Sequence, residues 1–414
     1  MHTEFDVIIV GGGMVGLSLA QALSGTKLKL LLVEAGSLES NSIAGASGFE
    51  PRVSAINLKS QQWLSAIGVW DHLPKDRIQA FTRMEAWDAE GTGEVSFESR
   101  QVGQAALGYI VENCVIQDAL MTALSQSSIH IMRHTRLQSA TPLTDTPSPN
   151  GAHHITFEDG TTTTCNLLIG ADGHQSRVRQ LGGFKTRQWD YQHQAIVTTI
   201  TLTEPHNNTA RQAFATDGPL GILPLPGQDQ RHCSIVWSQK SDRTAALMAL
   251  SDTEFCVQLT RAMDNRLGTV VDVDRRFAIP LQAQIAESLV CAGMALIGDA
   301  AHRIHPLAGQ GANLGFADAE ALADNIIATT SKGLAIGDHF QLRQYQRQRQ
   351  SHNLAMTAAM EGFKRLFESD NIAVRWLRNA GMKQFEDFGG LKSAVMAVAM
   401  GLQSPLNGVH KKRG

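Results

Sequence analysis

Val7-Ile8-Ile9-Val10 is apolar at four consecutive positions with no wet side, as expected of a parallel strand covered on both faces. Glycines follow at 11–13, and residues 17–23 then carry leucines and alanines at helical spacing. A second apolar run at 28–33 completes a strand–helix–strand unit. The same two-sided pattern returns at 166–169 and 294–297, and each run ends on a glycine, Gly170 and Gly298. Between these runs the pattern changes. Segments 195–202, 221–226 and 233–237 mix apolar and polar positions with prolines and short turns, which predicts a separate, antiparallel sheet, interrupted by a helical stretch at 253–267. Residues 76–99 also read as strands and turns. Further helices are predicted before Gly68, over 116–121, from Ala312 onward and over 345–367, where Leu354, Met360, Phe363 and Phe367 form a stripe suited to core packing.

The predicted fold is α/β. A discontinuous Rossmann-type domain takes 1–75, 100–182 and 276–335, a mostly antiparallel β domain takes 76–99 and 183–275, and a helical region takes 336–414.

Candidate chemistry concentrates where the buried strands end. Gly11-Gly12-Gly13-Met14-Val15-Gly16 is a G-x-G-x-x-G turn with a strand before it and a helix after it. Its glycines permit the turn, the approach of a pyrophosphate and the helix–strand contact. Glu34 closes the second strand, 18 residues beyond Gly16, where an acid hydrogen-bonds the ribose of an adenine nucleotide. Gly170-Ala171-Asp172-Gly173 ends another strand and leads through Ser176, Arg177 and Arg179 into a helix; alone, it could be an ordinary turn and N-cap. Gly298-Asp299 ends the third strand, and Gly309-Gln310-Gly311 opens the helix that begins at Ala312 and Asn313. A carboxylate for hydroxyls near a helix's positive end suits a ligand with a polyol and an electron-accepting ring, as in a flavin; a plain strand–loop–helix corner is the alternative. Arg52 is placed for a phosphate contact or a surface ion pair, and Gln117 for a ligand contact or for solvent.

Composition mainly excludes. Hydrophobic residues at 43% and charged residues at 18% of 414 describe an ordinary globular chain, long enough for two or three domains. A formal charge of −3 leaves no basic footprint for nucleic acid. Cys114, Cys165, Cys233, Cys256 and Cys291 are odd in number and lack C-x-x-C spacing, which fits reduced cytosolic thiols and neither a disulfide framework nor a metal cage. No run reaches the roughly 18 apolar residues that span a bilayer. The apolar run from Val7 has no basic leader, so the expected location is cytoplasmic.

Taken together, the three corners resemble those of the class A flavoprotein aromatic hydroxylases, which share the p-hydroxybenzoate hydroxylase fold, over nearly the whole chain. Arg52-Val53-Ser54-Ala55-Ile56-Asn57, Ile110-Val111-Glu112-Asn113, Trp189-Asp190-Tyr191-Gln192 and His305-Pro306-Leu307-Ala308-Gly309-Gln310-Gly311 narrow the resemblance to the ubiquinone-biosynthesis hydroxylases. They look most like the 2-octaprenylphenol hydroxylase branch, whose sisters act at other ring positions with nearly the same motifs.

The resemblance implies that Gly11, Gly13, Met14, Val15, Gly16 and Glu34 hold the ADP half of FAD, and that Arg52 and Gln117 line the pyrophosphate–ribityl path. It implies that Asp172 and Gly173 serve both FAD and the incoming NAD(P)H, and that Gly298, Asp299, Gly311, Ala312 and Asn313 hold the ribityl and ring parts. His305, Pro306, Gly309 and Gln310 would form the loop at the flavin's reactive edge, with no acid or base assigned among them. The implied reaction uses NAD(P)H and O2 to hydroxylate a polyprenylphenol, at C5, through a C4a-hydroperoxide in a dry site. With one glycine-rich unit, NAD(P)H must dock transiently. His302 and His305 lack cysteine or acid partners at ligand spacing, so no metal is predicted, and an orienting role in the loop is expected.

The implied partners are a ubiquinone-biosynthesis enzyme complex and a second copy of the chain. The apolar stretch from Ser393 to Leu402, ahead of Lys411-Lys412-Arg413, either packs on the protein or docks it peripherally at the inner face of a membrane. Other readings of the same scaffold are a ring hydroxylase acting at C1 or C6, an FAD epoxidase or reductase, a non-catalytic flavin-binding assembly protein, and a colourless nicotinamide dehydrogenase.

Overall fold

The structure, a computed structural model, describes residues 4–38, 45, 47–143, 151–303, 311–367 and 400–401. Its first sheet runs in the order Val290–Cys291, Met294–Leu296, Thr162–Gly170, Phe5–Val10, Leu30–Val33 and His130–Met132. Phe5–Val10 lies in the middle and pairs in parallel with strands on both sides, which explains why Val7 through Val10 are all buried. Helix Met14–Leu23 returns along the sheet against helices Asn113–Leu124 and Gly311–Ser331. Leu17, Leu19, Leu23, Ile116, Leu120, Phe316 and Leu322 share one core with the sheet.

Among the described residues the second sheet has nine strands. Its spine is Thr186–Leu202, 17 residues long, paired antiparallel with His232–Lys240 and with Phe277–Ala286. A bulge between Asp190 and His193, with Gln192 at φ 55, bends the spine. The expected antiparallel order has one exception, because Arg83–Asp88 runs parallel to Thr209–Phe214. Phe277–Ala286 belongs to this sheet, so the sheet continues past the boundary near 275 that the sequence pattern suggests, and His302–Arg303 pairs on its edge. The reason is that Phe277–Ala286 alternates buried and wetter positions, a half-buried pattern unlike the continuous runs of the first sheet.

On one face of this sheet Ile196, Ile200, Ile235 and Trp237 meet Phe255 and Leu259 of the covering helices. Ala195, Val197 and Leu281 lie on the other face. The helical stretch expected at 253–267 is the helix Asp252–Ala262, which ends five residues sooner and is preceded by a second helix, Ser241–Ala249. The break falls at Ser251, whose hydroxyl accepts the Glu254 N–H while Glu254 accepts the Ser251 N–H at 3.0 Å, a capping box that restarts the helix.

A small sheet of Val53–Asn57, Gly108–Glu112 and Ile78–Phe81 joins the two larger ones. Met400 is buried against it beside Phe81 and Leu223, and its carbonyl accepts the Lys59 N–H. The rest of 391–414, apart from Met400 and Gly401, lies outside the described residues. No helix among the described residues is long and apolar enough to cross a membrane.

Candidate functional site

Three parallel strands bring three loops to one edge. In register, Val10 sits beside Gly170 and Gly170 beside Leu296, so the glycine turn, the Asp172 corner and the Asp299 corner begin at the same level of the sheet. This is the carboxyl edge, where open α/β sheets hold ligands.

The glycines of the first loop do separate jobs. Gly11 has φ +111, and a Cβ on it would run into the Ala171 carbonyl. A Cβ on Gly16 would run into the Gly11 carbonyl, so helix and turn touch directly. Gly13, by contrast, has nothing within 4 Å of the Cβ position, leaving the start of helix Met14–Leu23 open to a ligand. Glu34 accepts the Gly12 N–H at 2.5 Å and the Gly36 N–H at 2.7 Å. Each carboxylate oxygen keeps a lone pair for a hydroxyl donor. Gln117 donates to the Gly12 carbonyl at 3.2 Å, which settles it on the glycine turn and not in solvent. Arg52 is exposed at the start of Val53–Asn57, with its carbonyl accepting the Asn113 N–H at 3.0 Å.

In the second corner one oxygen of Asp172 accepts the N–H groups of Arg177 at 2.6 Å and Val178 at 3.2 Å. Its other oxygen, Oδ1, is buried without a hydrogen-bond partner, and burial pushes the carboxyl above the usual carboxylate range. Gly173 follows at φ +74 with open space around its Cβ position. Ser176 caps the short helix Arg177–Leu181 by accepting the Arg179 N–H. Arg179 is buried and spans two corners, donating to the His174 carbonyl at 2.6 Å and the Ala300 carbonyl at 2.9 Å.

In the third corner Gly298 has φ +58, and Val15 lies against the Cβ positions of both Gly298, at 3.3 Å, and Gly315, at 2.5 Å. The first loop is thus wedged between the third strand and the long helix. Asp299 stands exposed on the turn Gly298–Ala300. Gly311 is open at its Cβ position, and Ala312 is partly buried. Asn313 is buried with its side chain engaged elsewhere: it donates to the Ala55 carbonyl at 2.7 Å and accepts the Asn57 N–H at 3.0 Å. That fixes the start of the helix on the small sheet. His305, Pro306, Gly309 and Gln310 lie outside the described residues.

Asp318 is the residue that sequence reasoning missed. It is fully buried in the long helix, accepting the Gly298 N–H at 3.0 Å, a His302 Nε2 contact at 2.5 Å and the Arg349 Nε–H at 2.7 Å. Burial alone would raise its carboxyl pKa, but the charges and hydrogen bonds of His302 and Arg349 outweigh that and hold it well below the usual range. The helix carries three acids close together, Asp318, Glu320 and Asp324, and the sequence does not single out Asp318 as the buried one. Among the described residues, no group of three or more His, Cys, Asp or Glu is arranged to hold a metal.

The residues present fit a flavin dinucleotide. A helix start is open at Gly13, an acid with spare lone pairs stands at Glu34, an orphaned buried oxygen lies at Asp172, and a free carboxylate faces out at Asp299.

The profile of the FAD binding domain family matches residues 4–360. The human ubiquinone biosynthesis monooxygenase COQ6, mitochondrial, is 34% identical, covering 96% of this chain and 92% of its own. The 3-demethoxyubiquinol 3-hydroxylase of Escherichia coli K12 is 32% identical, covering 96% and 98%. Among solved structures, PqsL of Pseudomonas aeruginosa, a probable FAD-dependent monooxygenase, superposes with a TM-score of 0.75 at 21% identity over 92% of this chain and 99% of that one. The p-nitrophenol 4-monooxygenase PnpA of Pseudomonas putida DLL-E4 gives 0.76 at 17% identity, covering 98% and 100%.

Proposed function

Since this chain belongs to the FAD binding domain family and, within it, to the ubiquinone-biosynthesis monooxygenases, we propose that it hydroxylates the ring of a polyprenylphenol, at C5, using NAD(P)H and O2. The observation that carries the reading is the alignment of three corners on one sheet edge, each with an unspent polar or open position. Bound FAD supplies the redox chemistry, taking two electrons from the nicotinamide and activating O2 for transfer of one oxygen atom.

The chain's own groups hold and shield that chemistry. Amides at the start of helix Met14–Leu23 face the pyrophosphate, and Glu34 accepts from the adenosine ribose. Asp299 accepts from ribityl hydroxyls, and Asp172 Oδ1 takes a donor from the cofactor or the visiting NAD(P)H. The amides that begin helix Gly311–Ser331 favour negative charge on the ring edge they face. Position C5 rests on the likeness of segments 52–57, 110–113, 189–192 and 305–311 to one branch; a relative named only as a ubiquinone biosynthesis monooxygenase and one named as a 3-demethoxyubiquinol 3-hydroxylase stand at nearly equal identity, 34% and 32%. The same reading has the substrate arrive from a membrane or an assembly of pathway enzymes, with 391–414 as the docking segment.

The test is direct. The purified protein should be yellow, and incubation with prenylphenols, NAD(P)H and O2 should give a ring-hydroxylated product by mass spectrometry. Oxidation of NAD(P)H that no phenol stimulates would defeat the proposal, and a product hydroxylated at C1 or C6 would reassign the position.

Two variants probe the cofactor contacts. Asp299→Ala should weaken FAD binding about tenfold or more, since a charge-assisted hydrogen bond to a hydroxyl is lost; an unchanged dissociation constant by flavin fluorescence would remove Asp299 from the site. Gly311→Leu fills the open position at the helix start and should raise the fraction of NAD(P)H electrons released as H2O2, because the reacting groups shift apart. Normal coupling at full FAD content would place Gly311 away from the ring.

A further inference from the structure

The segment Ile110-Val111-Glu112-Asn113 contains a buried acid that the three flavin corners do not use. Glu112 ends strand Gly108–Glu112 and stands at the N-cap of helix Asn113–Leu124, only 1% exposed. A side chain at an N-cap ordinarily accepts an amide of its own helix, but Glu112 makes no such bond. Its Oε1 accepts instead the Glu50 N–H and an N–H of Arg77 Nη2, each at 2.7 Å. Its Oε2 is buried without a hydrogen-bond partner. A buried carboxylate with one oxygen unsatisfied is unfavourable, and a neutral side chain would fold more easily there. The advantage of the acid has to lie outside its own helix.

That advantage lies two residues beyond Glu50. The Arg52 carbonyl accepts the Asn113 N–H at 3.0 Å, so Glu112 and Asn113 hold the chain on both sides of Pro51. Pro51 fixes its own φ and confines Glu50 to extended backbone. Few torsions stay free between the two held points. Arg77 secures the approach to them. Its Nη2 also donates to the Gly48 carbonyl at 3.1 Å, and its guanidinium lies over the Phe49 ring, 4.9 Å from the centroid. Phe49, Glu50 and Pro51 are buried, whereas Arg52 is exposed. An exposed cation thus stands on a fixed base.

We propose that Glu112 is a positioning residue for the cofactor, holding the backbone that presents Arg52 to the diphosphate of FAD. The inference rests on the reading of Arg52 as a phosphate contact and adds to it the buried groups that set its place. A long cationic side chain on a loose segment loses part of its binding energy to the ordering of that segment. Here the ordering is done before the ligand arrives. The charge of Glu112 is needed because Arg77, which ties down 48–50, would otherwise face a neutral partner.

The experiment titrates FAD into the flavin-free protein and follows the quenching of flavin fluorescence. Arg52→Gln should weaken FAD about tenfold or more. Glu112→Gln, which keeps an acceptor for Glu50 but loses the charge beside Arg77, should weaken it about fivefold. In steady-state NAD(P)H oxidation the same variant should raise KM for FAD more than it lowers kcat. The double variant should bind FAD no more weakly than Arg52→Gln alone, because the fixed base matters only through Arg52. Arg77→Met should behave like Glu112→Gln, and Arg77→Lys, which keeps the charge, should retain most of the affinity. Arg77 also serves if Glu112→Gln fails to fold, since it is the partner nearer the surface. Losses in Glu112→Gln and Arg52→Gln that add in the double variant would overturn the proposal, as would unchanged FAD affinity in Glu112→Gln and Arg77→Met. If the unsubstituted protein binds FAD but hydroxylates no prenylphenol, the hydroxylase reading falls while the titrations still judge Glu112.

Discussion

Gly16→Val is expected to yield a protein that retains no FAD after purification. A Cβ at this position runs into the Gly11 carbonyl and comes to 3.1 Å from the Ala171 Cβ. Neither neighbour can yield. Gly11 N–H is bonded to the Val33 carbonyl at 2.8 Å, and Ala171 N–H to the Val10 carbonyl at 2.8 Å, so both belong to the sheet's own hydrogen bonding. The helix must lift off the strand, which removes the ligand-facing amides from position and costs more than the 1–3 kcal/mol typical of an overpacked core. Gly13→Ala is the informative contrast. Its Cβ meets nothing, so the variant should fold with a near-normal Tm and lose affinity only where the pyrophosphate would press against the new methyl. Flavin content and Tm of the two proteins separate the roles. Full flavin retention in Gly16→Val would mean the turn and helix do not touch in solution.

Asp318→Asn should destabilise the protein by about 3–5 kcal/mol, the range for removing one member of a buried charge cluster. The carboxylate satisfies the Gly298 N–H, His302 and Arg349 at once, and an amide cannot accept from all three or balance the arginine. Because Gly298 is one of the bonded groups, the turn that presents Asp299 should loosen, and FAD affinity should fall with stability. Arg349→Met tests the same cluster from the other side. The pH dependence has a definite sign. The folded-state pKa of Asp318 is depressed, so its contribution is fully present above the ordinary value of 3.8 and is lost as pH falls below it. Urea unfolding followed between pH 6 and roughly pH 3 should show a steeper acid loss in the parent than in Asp318→Asn. Parallel curves would mean the carboxylate contributes nothing through its charge.

The sequence made the local parts of this site readable and hid the ones that need distance. Gly11 through Gly16 and Glu34 were legible because a strand, a tight turn and a helix each leave their own mark within one short unit. Asp172 and Asp299 were legible for the same reason, each following a buried run and a glycine. Asp318 was not, because its partners lie 16 and 31 residues away and nothing local marks a helix acid as fully buried. Arg179 reads as one more surface arginine until Ala300 comes within reach of it, 121 residues on. Asn313 was expected near the flavin ring, yet its side chain anchors to a strand more than 250 residues earlier. The extent of the second sheet was hidden in part for a related reason, since pairing partners decide which sheet a half-buried strand joins.

The central place of Phe5–Val10 in its sheet sets an order of events in biosynthesis. Thr162–Gly170 reaches one edge of this strand only about 160 residues further along the chain, and Arg349, which pins Asp318 behind the third corner, comes later still. Until those segments arrive, an apolar edge stays unpaired, the condition under which nascent chains aggregate or recruit chaperones. Contacts of such long sequence separation also form slowly. The proposed cofactor cradle, drawn from residues between Gly13 and Gly311, therefore belongs among the last parts to assemble. In a refolding experiment, flavin fluorescence quenching should lag behind the recovery of secondary structure, and added FAD should improve yield without speeding the early phase.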